Sequence, residues 1–245
     1  MTSKRLDIAL VERGLTPTRA RARDAILRGH VTVGGKLAAR PSASVDADDE
    51  IGLDDPAAHY VSRAALKLIA GLDRFDYSPN GRTALDLGAS TGGFTQVLLE
   101  RGARRVFAVD VGHGQLDAAL AADPRVVSRE GLNARDLVAG DIGETVTAIV
   151  ADVSFISLKL VLPPALALAR EGAWGIFLVK PQFEVGRDNL GKGGIVRDAH
   201  LGERTAADIA VWLEAGTGWR VGGVILSPIE GGDGNREFLI GATRG

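Results

Sequence analysis

Hydrophobic and polar positions along this chain follow two different rhythms. The opening stretch RLDIALVERGL places Leu6, Ile8, Ala9, Leu10, Val11 and Leu15 at helical spacing, and Gly14 closes the helix. Thr16 or Thr18 can cap a second helix, TRARARDAILRG, which Gly29 stops. HVTVGGKLA then alternates like a hairpin with Gly34-Gly35 at its turn, and EIGL gives one more short strand. From Ser62 onward the rhythm changes. SRAALKLIAGLDRF reads as a helix, and apolar strand signals recur: TALDL, RVFAVD, VVSREG, TAIVADVS, GIFLVKPQF, WRVGGVILS and REFLIGA. Helical stretches such as FTQVLLERGA, LKLVLPPALALAREG and GERTAADIAVWLEAG separate several of them. Such alternation predicts an α/β fold with a parallel sheet covered on both faces. The last two strands, joined by the turn-rich SPIEGGDGN, predict an antiparallel pair at one edge. Pro163-Pro164 predict a break inside the fourth crossover. The division is therefore residues 1–53, a linker at 54–61 (DDPAAHYV), and residues 62–245.

The junction after the first strand of the larger unit carries the sharpest chemical signal. It reads Asp86-Leu-Gly88-Ala-Ser90-Thr91-Gly92-Gly93-Phe94, a strand ending in an acid, a glycine turn and the start of a helix. A second acid, Asp110, closes the next strand. This order suits an adenosine-containing cofactor. The glycine spacing is not that of a dinucleotide site, and Asp86 would repel a pyrophosphate there. An acid beside the turn suits the cationic amino-acid end of S-adenosylmethionine, with Asp110 placed to accept hydrogen bonds from the ribose. A helix cap and a tight turn in an ordinary α/β protein would explain each piece singly.

Composition adds mainly exclusions. The chain has 245 residues, no Cys, four His without ligand spacing and a net charge of −2. Disulfides, thiolate metal sites and a cysteine nucleophile are thereby ruled out. No metal is expected. No apolar run reaches membrane-spanning length. MTSKRLDIALVERG has charges inside its apolar pattern, unlike a signal peptide, so a cytoplasmic protein is expected, and the lack of an obvious seam favours a monomer. Charge is unevenly spread, however. Residues 4–40 hold nine Lys/Arg against three acids, whereas residues 46–55 hold six acids and no base. Arg5, Arg19, Arg21, Arg23, Arg28 and Lys36 make this block a candidate phosphate-binding face. Charge runs are also commonly just a solvated helix surface.

Four polar residues fall where a parallel sheet presents its ligand crevice. Asp152 ends TAIVAD, Lys180 ends GIFLVK, Lys67 lies in the helix before the sheet, and Glu237 begins the last strand. The chain has 23 Arg and only six Lys, two of them in this set. A desolvated Lys can give up its proton and act as a base, which Arg cannot. Each residue alone could be a structural ion partner. A hydroxyl acceptor needs a base, and the ribose 2′-hydroxyl is the one peculiar to RNA.

The first unit resembles the small RNA-binding domain named after ribosomal protein S-four, through RLDIALVERGL, the Arg-rich helix and VTVGGK. Across nearly the whole chain, SRAALKL, LDLGASTGGF, DVGHGQL, NARDL, ADVSFISL, LVKPQFE, GKGGIVRD and SPIEGGDGNREF resemble the TlyA (haemolysin A) type ribosomal RNA methyltransferases. Their catalytic domain is similar to the FtsJ-like 2′-O-methyltransferases. The resemblance implies a Rossmann-like methyltransferase domain, a parallel sheet with an antiparallel edge strand, behind a small α+β RNA-binding domain. It also implies S-adenosylmethionine-dependent methylation of cytidine 2′-hydroxyls in the ribosomal RNA of ribosomal subunits, by a Lys67–Asp152–Lys180–Glu237 tetrad with Lys180 as base. Cofactor contacts would come from Asp86, Gly88, Ser90, Thr91, Gly92, Gly93, Phe94, Asp110, Asn133 and Asp136. Two positions depart from the family pattern: Ala64-Ala65 stand where paired glycines are frequent, and His113 where an aromatic is common. The loop from Gly186 to Asp198, with GKGG and two Arg, could fold over RNA or be an ordinary surface loop. Competing readings are a non-catalytic ribosome assembly factor, a membrane-lytic protein and a pseudouridine synthase, the last leaving the glycine turn unexplained.

Overall fold

The computed structural model describes residues 3–245. Met1 and Thr2, which begin the stretch read as no signal peptide, lie outside the described residues. The chain forms two compact units, the first through His59 and the second from Tyr60 to Gly245.

The first unit holds β1 (Lys4–Arg5), α1 (Leu6–Glu12), α2 (Arg19–Leu27), β2 (Val31–Val33), β3 (Lys36–Leu37), β4 (Ser44–Val45) and β5 (Ile51–Leu53). Leu6, Ala9 and Leu10 on α1 meet Ala22, Ala25 and Ile26 on α2, the i, i+3, i+4 faces that the pattern called for. Thr18 caps α2, its Oγ1 accepting the Arg21 N–H at 3.2 Å. Gly34 and Gly35 have φ of +56° and +75°, as a tight hairpin turn between β2 and β3 requires. β5 pairs antiparallel with β2, and β1 pairs with β4. Residues 54–57, read as linker, are tied to this unit. Asp54 N–H donates to His30 O, Asp55 pairs with Arg28, and Ala57 is fully buried.

The second unit runs α3 (Ala65–Phe75), β6 (Thr83–Leu87), α4 (Gly93–Glu100), β7 (Arg105–Asp110), α5 (Ala118–Ala121), β8 (Val126–Glu130), α6 (Ala139–Ile142), β9 (Val146–Ala151), α7 (Leu158–Leu168), β10 (Ala169–Val179), α8 (Ala199–Thr217), β11 (Trp219–Leu226) and β12 (Phe238–Arg244). Its sheet has the order β11-β12-β10-β9-β6-β7-β8. β10, β9, β6, β7 and β8 are parallel. The antiparallel strand is β12, which lies between β10 and the outermost β11. One apolar cluster, including Leu85, Leu162 and Leu213, fills one face under α7 and α8. Another, including Leu68, Leu98 and Ala84, fills the opposite face under α3 and α4.

Two local expectations are corrected. The Pro163-Pro164 pair does not break α7, which continues to Leu168. The carbonyls that the prolines leave without intrahelical donors belong to Lys159 and Leu160, both exposed residues, while Leu158, Val161, Leu162, Ala165 and Leu166 anchor the buried face. The segment ALAREG is not helical to its end. β10 begins at Ala169 and reaches its main register with β9 only after an irregularity before Trp174.

Candidate active site

Strand β6 delivers the chain to the carboxyl edge of the sheet. Gly88 follows at φ +81°, and a Cβ there would come 2.6 Å from the Asp152 carbonyl oxygen. Only glycine lets this turn pass so close to the end of β9. Ser90, at φ +47°, donates its N–H to Asp110 Oδ2 at 2.8 Å, and Gly112 N–H donates to Asp110 Oδ1 at 2.7 Å. Asp110 thus fixes the turn after β6 and the one after its own strand β7.

Two cavities adjoin at this edge. One of about 170 Å³ is lined by residues that include Ser62, Phe94, Asp152 and Lys180. The other, of about 830 Å³, is walled by residues that include Asp110, Gln115, Asn133 and Phe155. Gly88, Ser90, Asp152 and Ser154 belong to both. Of the residues expected to hold a cofactor, Gly88, Ser90, Thr91, Gly93, Phe94, Asp110 and Asn133 line one cavity or both. Gly92 sits behind the wall, where a Cβ would strike Leu120. Asp136 departs from expectation. It ends the 3-10 turn Ala134–Asp136, which turns Ala134 inward and leaves Asp136 exposed outside both cavities.

Asp86 is fully buried, on the α4 side of β6. Its Oδ2 accepts the Thr95 hydroxyl at 2.7 Å, and its Oδ1 has no hydrogen-bond partner. Burial pushes its carboxyl up to about 7, and the charges of Asp152 and Asp110 push the same way.

The four candidate catalytic residues converge as two ion pairs. β10 and β12 pair through Val179 and Phe238, so Lys180 and Glu237 lie one step beyond the ladder on neighbouring strands. Ala151 pairs with Phe177, which brings Asp152 to the same edge. Asp152, Lys180 and Glu237 each stand just outside their strands rather than within them, although Glu237 O still accepts Ser227 N–H at 2.9 Å. Lys67 reaches the edge from α3, whose Gly71, one turn on, packs against Ile176 of β10. Lys67 Nζ meets Glu237 Oε2 at 2.6 Å, and Lys180 Nζ meets Asp152 Oδ1 at 2.6 Å. Lys180 also donates to Ser154 Oγ at 2.8 Å.

The basic residues of the first unit divide. Arg23 and Lys36 are exposed. Arg5 and Arg19 are half-exposed but share Asp7, Arg5 bidentately at 2.9 Å and Arg19 at 3.1 Å. The hydrogen bonds from Arg5 lead in holding the Asp7 carboxyl down at about 2. Arg21 donates to Ala57 O at 2.7 Å. Arg28 departs from the expected phosphate face. It is mostly buried, held by Asp24 at 2.8 Å and Asp55 at 2.6 Å, because it closes the segment after β5 against α2.

Comparison with known proteins fits this geometry. Residues 60–244 match the model of the FtsJ-like methyltransferase family, and residues 4–51 match that of the S4 domain. The chain belongs to the TlyA branch of the FtsJ-like methyltransferases. It is 45% identical to the 16S/23S rRNA (cytidine-2′-O)-methyltransferase TlyA of Mycobacterium tuberculosis, over 96% of this chain and 88% of the relative. It is 39% identical to Hemolysin A of Brachyspira hyodysenteriae, over 96% and 98%. A solved chain from Streptococcus thermophilus that carries a hemolysin label is 38% identical, with a TM-score of 0.77 over 100% of this chain and 89% of that one.

Several residues of this methyltransferase site escaped the sequence reading. Glu184 accepts Ser157 Oγ–H at 2.6 Å and Leu158 N–H at 2.8 Å, joining the loop after β10 to the start of α7, and burial pushes its carboxyl up. Phe155 is 90% exposed at φ +64°, its ring 4.9 Å from that of Phe183. Such a backbone is strained for an aromatic residue. Asn235, 2% exposed, accepts Val196 N–H and donates to Gly194 O, which ties the 186–198 loop to the segment before Glu237. Only their place inside ADVSFISL, LVKPQFE and GGDGNREF pointed to them. Their partners lie 26 to 41 residues away in sequence.

Proposed function

We propose that this enzyme transfers a methyl group from S-adenosylmethionine to the 2′-hydroxyl of cytidine ribose in ribosomal RNA. The observation that carries the reading is Lys180. It lines the smaller of two adjoining cavities, in a chain 45% identical to an enzyme named for that reaction.

The residues present fit the cofactor. Gly88 lines both cavities, so its backbone faces a ligand at the end of β6. The larger cleft, with Asp110 and Asn133 in its wall, suits the nucleoside part. Asp86 lines neither cavity, and its buried carboxyl behind the turn favours a cationic amino-acid end through the charge it places there. When bound, S-adenosylmethionine supplies a methyl group on a positively charged sulfur. Asp110 accepts from ribose hydroxyls, and the backbone from Gly88 to Phe94 holds the amino-acid end. Lys180 removes the proton from the acceptor hydroxyl as the new carbon–oxygen bond forms, and Asp152 keeps the Lys180 amine in place. Glu237, from the neighbouring strand, and Lys67, from α3, support Lys180. Holding acceptor and methyl group in line supplies much of the rate.

In the first unit Arg5, Arg19, Arg21, Arg23 and Lys36 bear on RNA phosphates, with Arg23 and Lys36 the most accessible. No helix among the described residues is long and apolar enough to cross a membrane. The reading places the protein on ribosomal subunits in the cytoplasm, as a monomer.

The test is incubation with labelled S-adenosylmethionine and unmodified ribosomal subunits, followed by mapping of alkali-resistant 2′-O-methyl positions. Label on cytidine riboses is expected with the parent protein and absent with Lys180→Ala. A folded protein that binds cofactor and labels nothing overturns the reading in favour of a non-catalytic RNA-binding factor. Label that survives in Lys180→Ala overturns the choice of base alone.

A further inference from the structure

A lysine acting as a base must be aimed as well as deprotonated. Its Nζ is tetrahedral, with one direction bonded to the side chain and three left. In this site Ser154 Oγ takes one of those three at 2.8 Å, while Asp152 Oδ1 lies 2.6 Å away as a charge contact without hydrogen-bond geometry. Lys180, Asp152 and Ser154 all line the smaller cavity, and Ser154 lines the larger one as well. Both partners come from the single loop that follows β9. That loop is pinned at several points: Asp152 N–H donates to Leu87 O at 2.9 Å, Phe155 packs on Phe183, and Ser157 and Leu158 are held by Glu184. Ser154 is therefore carried on a fixed frame.

Resting on the reading of Lys180 as the base, we propose that Ser154 is a positioning residue that aims it. With an N–H bond held by Ser154 and the Asp152 carboxylate beside the nitrogen, the lone pair of the neutral amine is directed to the cavity that Lys180 lines. The acceptor O–H proton passes to Nζ along that direction while the carbon–oxygen bond forms and the carbon–sulfur bond breaks. The amine leaves the step as an ammonium. Its N–H bonds then serve Ser154 and the newly methylated oxygen, beside the Asp152 charge. Without Ser154 the ammonium has one acceptor fewer and swings toward Asp152, and the neutral amine turns its lone pair away from the substrate hydroxyl.

The experiment compares the parent protein, Ser154→Ala, Ser154→Thr and Lys180→Met in steady-state methylation of unmodified ribosomal subunits. Binding of S-adenosylhomocysteine is measured by calorimetry, and thermal melting is followed alongside. Ser154→Ala is expected to lower kcat about tenfold, the cost of one lost polar contact in the transition state. Its KM for subunits and its affinity for S-adenosylhomocysteine should stay within about twofold of the parent. Ser154→Thr, which keeps the hydroxyl, should restore most of kcat. The inference is overturned if Ser154→Ala keeps the parent kcat, if its loss of kcat comes with equal loss of cofactor affinity or melting temperature, or if Ser154→Thr fails to restore turnover. Lys180→Met separates the two levels. If it is inactive while Ser154→Ala turns over normally, only the role of Ser154 falls. If Lys180→Met keeps the parent kcat, the base assignment falls and the aiming role goes with it.

Discussion

Lys67 and Glu237 meet at 2.6 Å with side chains 7% and 2% exposed, whereas Lys180 and Asp152 meet at the same distance with 12% and 14% exposed. The more telling difference is what surrounds them. Lys180 and Asp152 line a cavity, and Lys180 shares its protons with Ser154. Lys67 and Glu237 line neither of the two cavities at this edge. Equal distance therefore does not mean equal work. A sealed pair binds α3 to the strand edge, and an open pair leaves the amine proposed as base facing a cavity. Breaking a sealed pair strands a charge in low dielectric, while breaking an open one leaves water to replace the lost partner.

Mutation should separate the pairs cleanly. The largest expected effect is on the open pair: Lys180→Met should lower methyl transfer by about 10²–10⁴-fold with little change in melting temperature. A melting loss as large as that of a Glu237 variant would erase the distinction. For the sealed pair, Glu237→Ala should cost about 3–5 kcal/mol of stability in denaturant titration. The double variant Lys67→Met/Glu237→Leu should recover most of that stability without recovering activity.

Asp86 contrasts with both pairs, since it is a buried acid with no cationic partner among the described residues. Its carboxyl sits near 7, above its ordinary 3.8, so the folded state holds a proton that the unfolded state releases first. Stability therefore falls as pH rises from about 4 to about 7 and stays lower above that. Asp86→Asn should remove this slope, raising stability at pH 8 by on the order of a few kcal/mol and not at pH 4. The same change should weaken S-adenosylhomocysteine binding, measured by calorimetry. No slope in the parent protein would place a cation beside Asp86.

The smallest effects carry the same contrast into the first unit. Arg28→Ala should cost about 2 kcal/mol of stability by leaving Asp55 without its partner. Arg23→Ala should leave melting unchanged, weaken RNA binding, and reduce the slope of log affinity against log salt by about 1.

The fold was legible where local chemistry decides it. Glycines at positive φ mark the turns after α1 and α2 and after β6, and alternating apolar runs mark the parallel strands. β1 and β4, two residues each, were invisible because so short a strand has no period to read. Pro163-Pro164 misled because proline acts on the local chain, whereas a buried face of five residues decides whether the helix holds. In the site, Asp152, Lys180 and Glu237 stood out as charges at strand ends and Lys67 as a charge in the helix before the sheet, and all four were met again in a motif resemblance. How they pair was not legible, since Lys67 and Glu237 are 170 residues apart. Arg28 looked like its arginine neighbours, and only the fold of residues 54–57 reveals it as a clasp. Ser154 and Glu184 lacked any signal beyond their motifs, since their work is done across loops.

The position of β12 has a consequence in time. Because this strand lies between β10 and β11, the sheet cannot close while residues 238–244 are still unmade. Lys67 is synthesised early and must wait for Glu237, its buried counter-charge, until nearly the whole second unit has been translated. A chain halted before that point carries the glycine turn, Asp110 and even Lys180, but no strand to seal the edge beside them. The site is thus completed late in translation: a truncated copy leaves the Lys67 ammonium without its partner beside an open sheet edge.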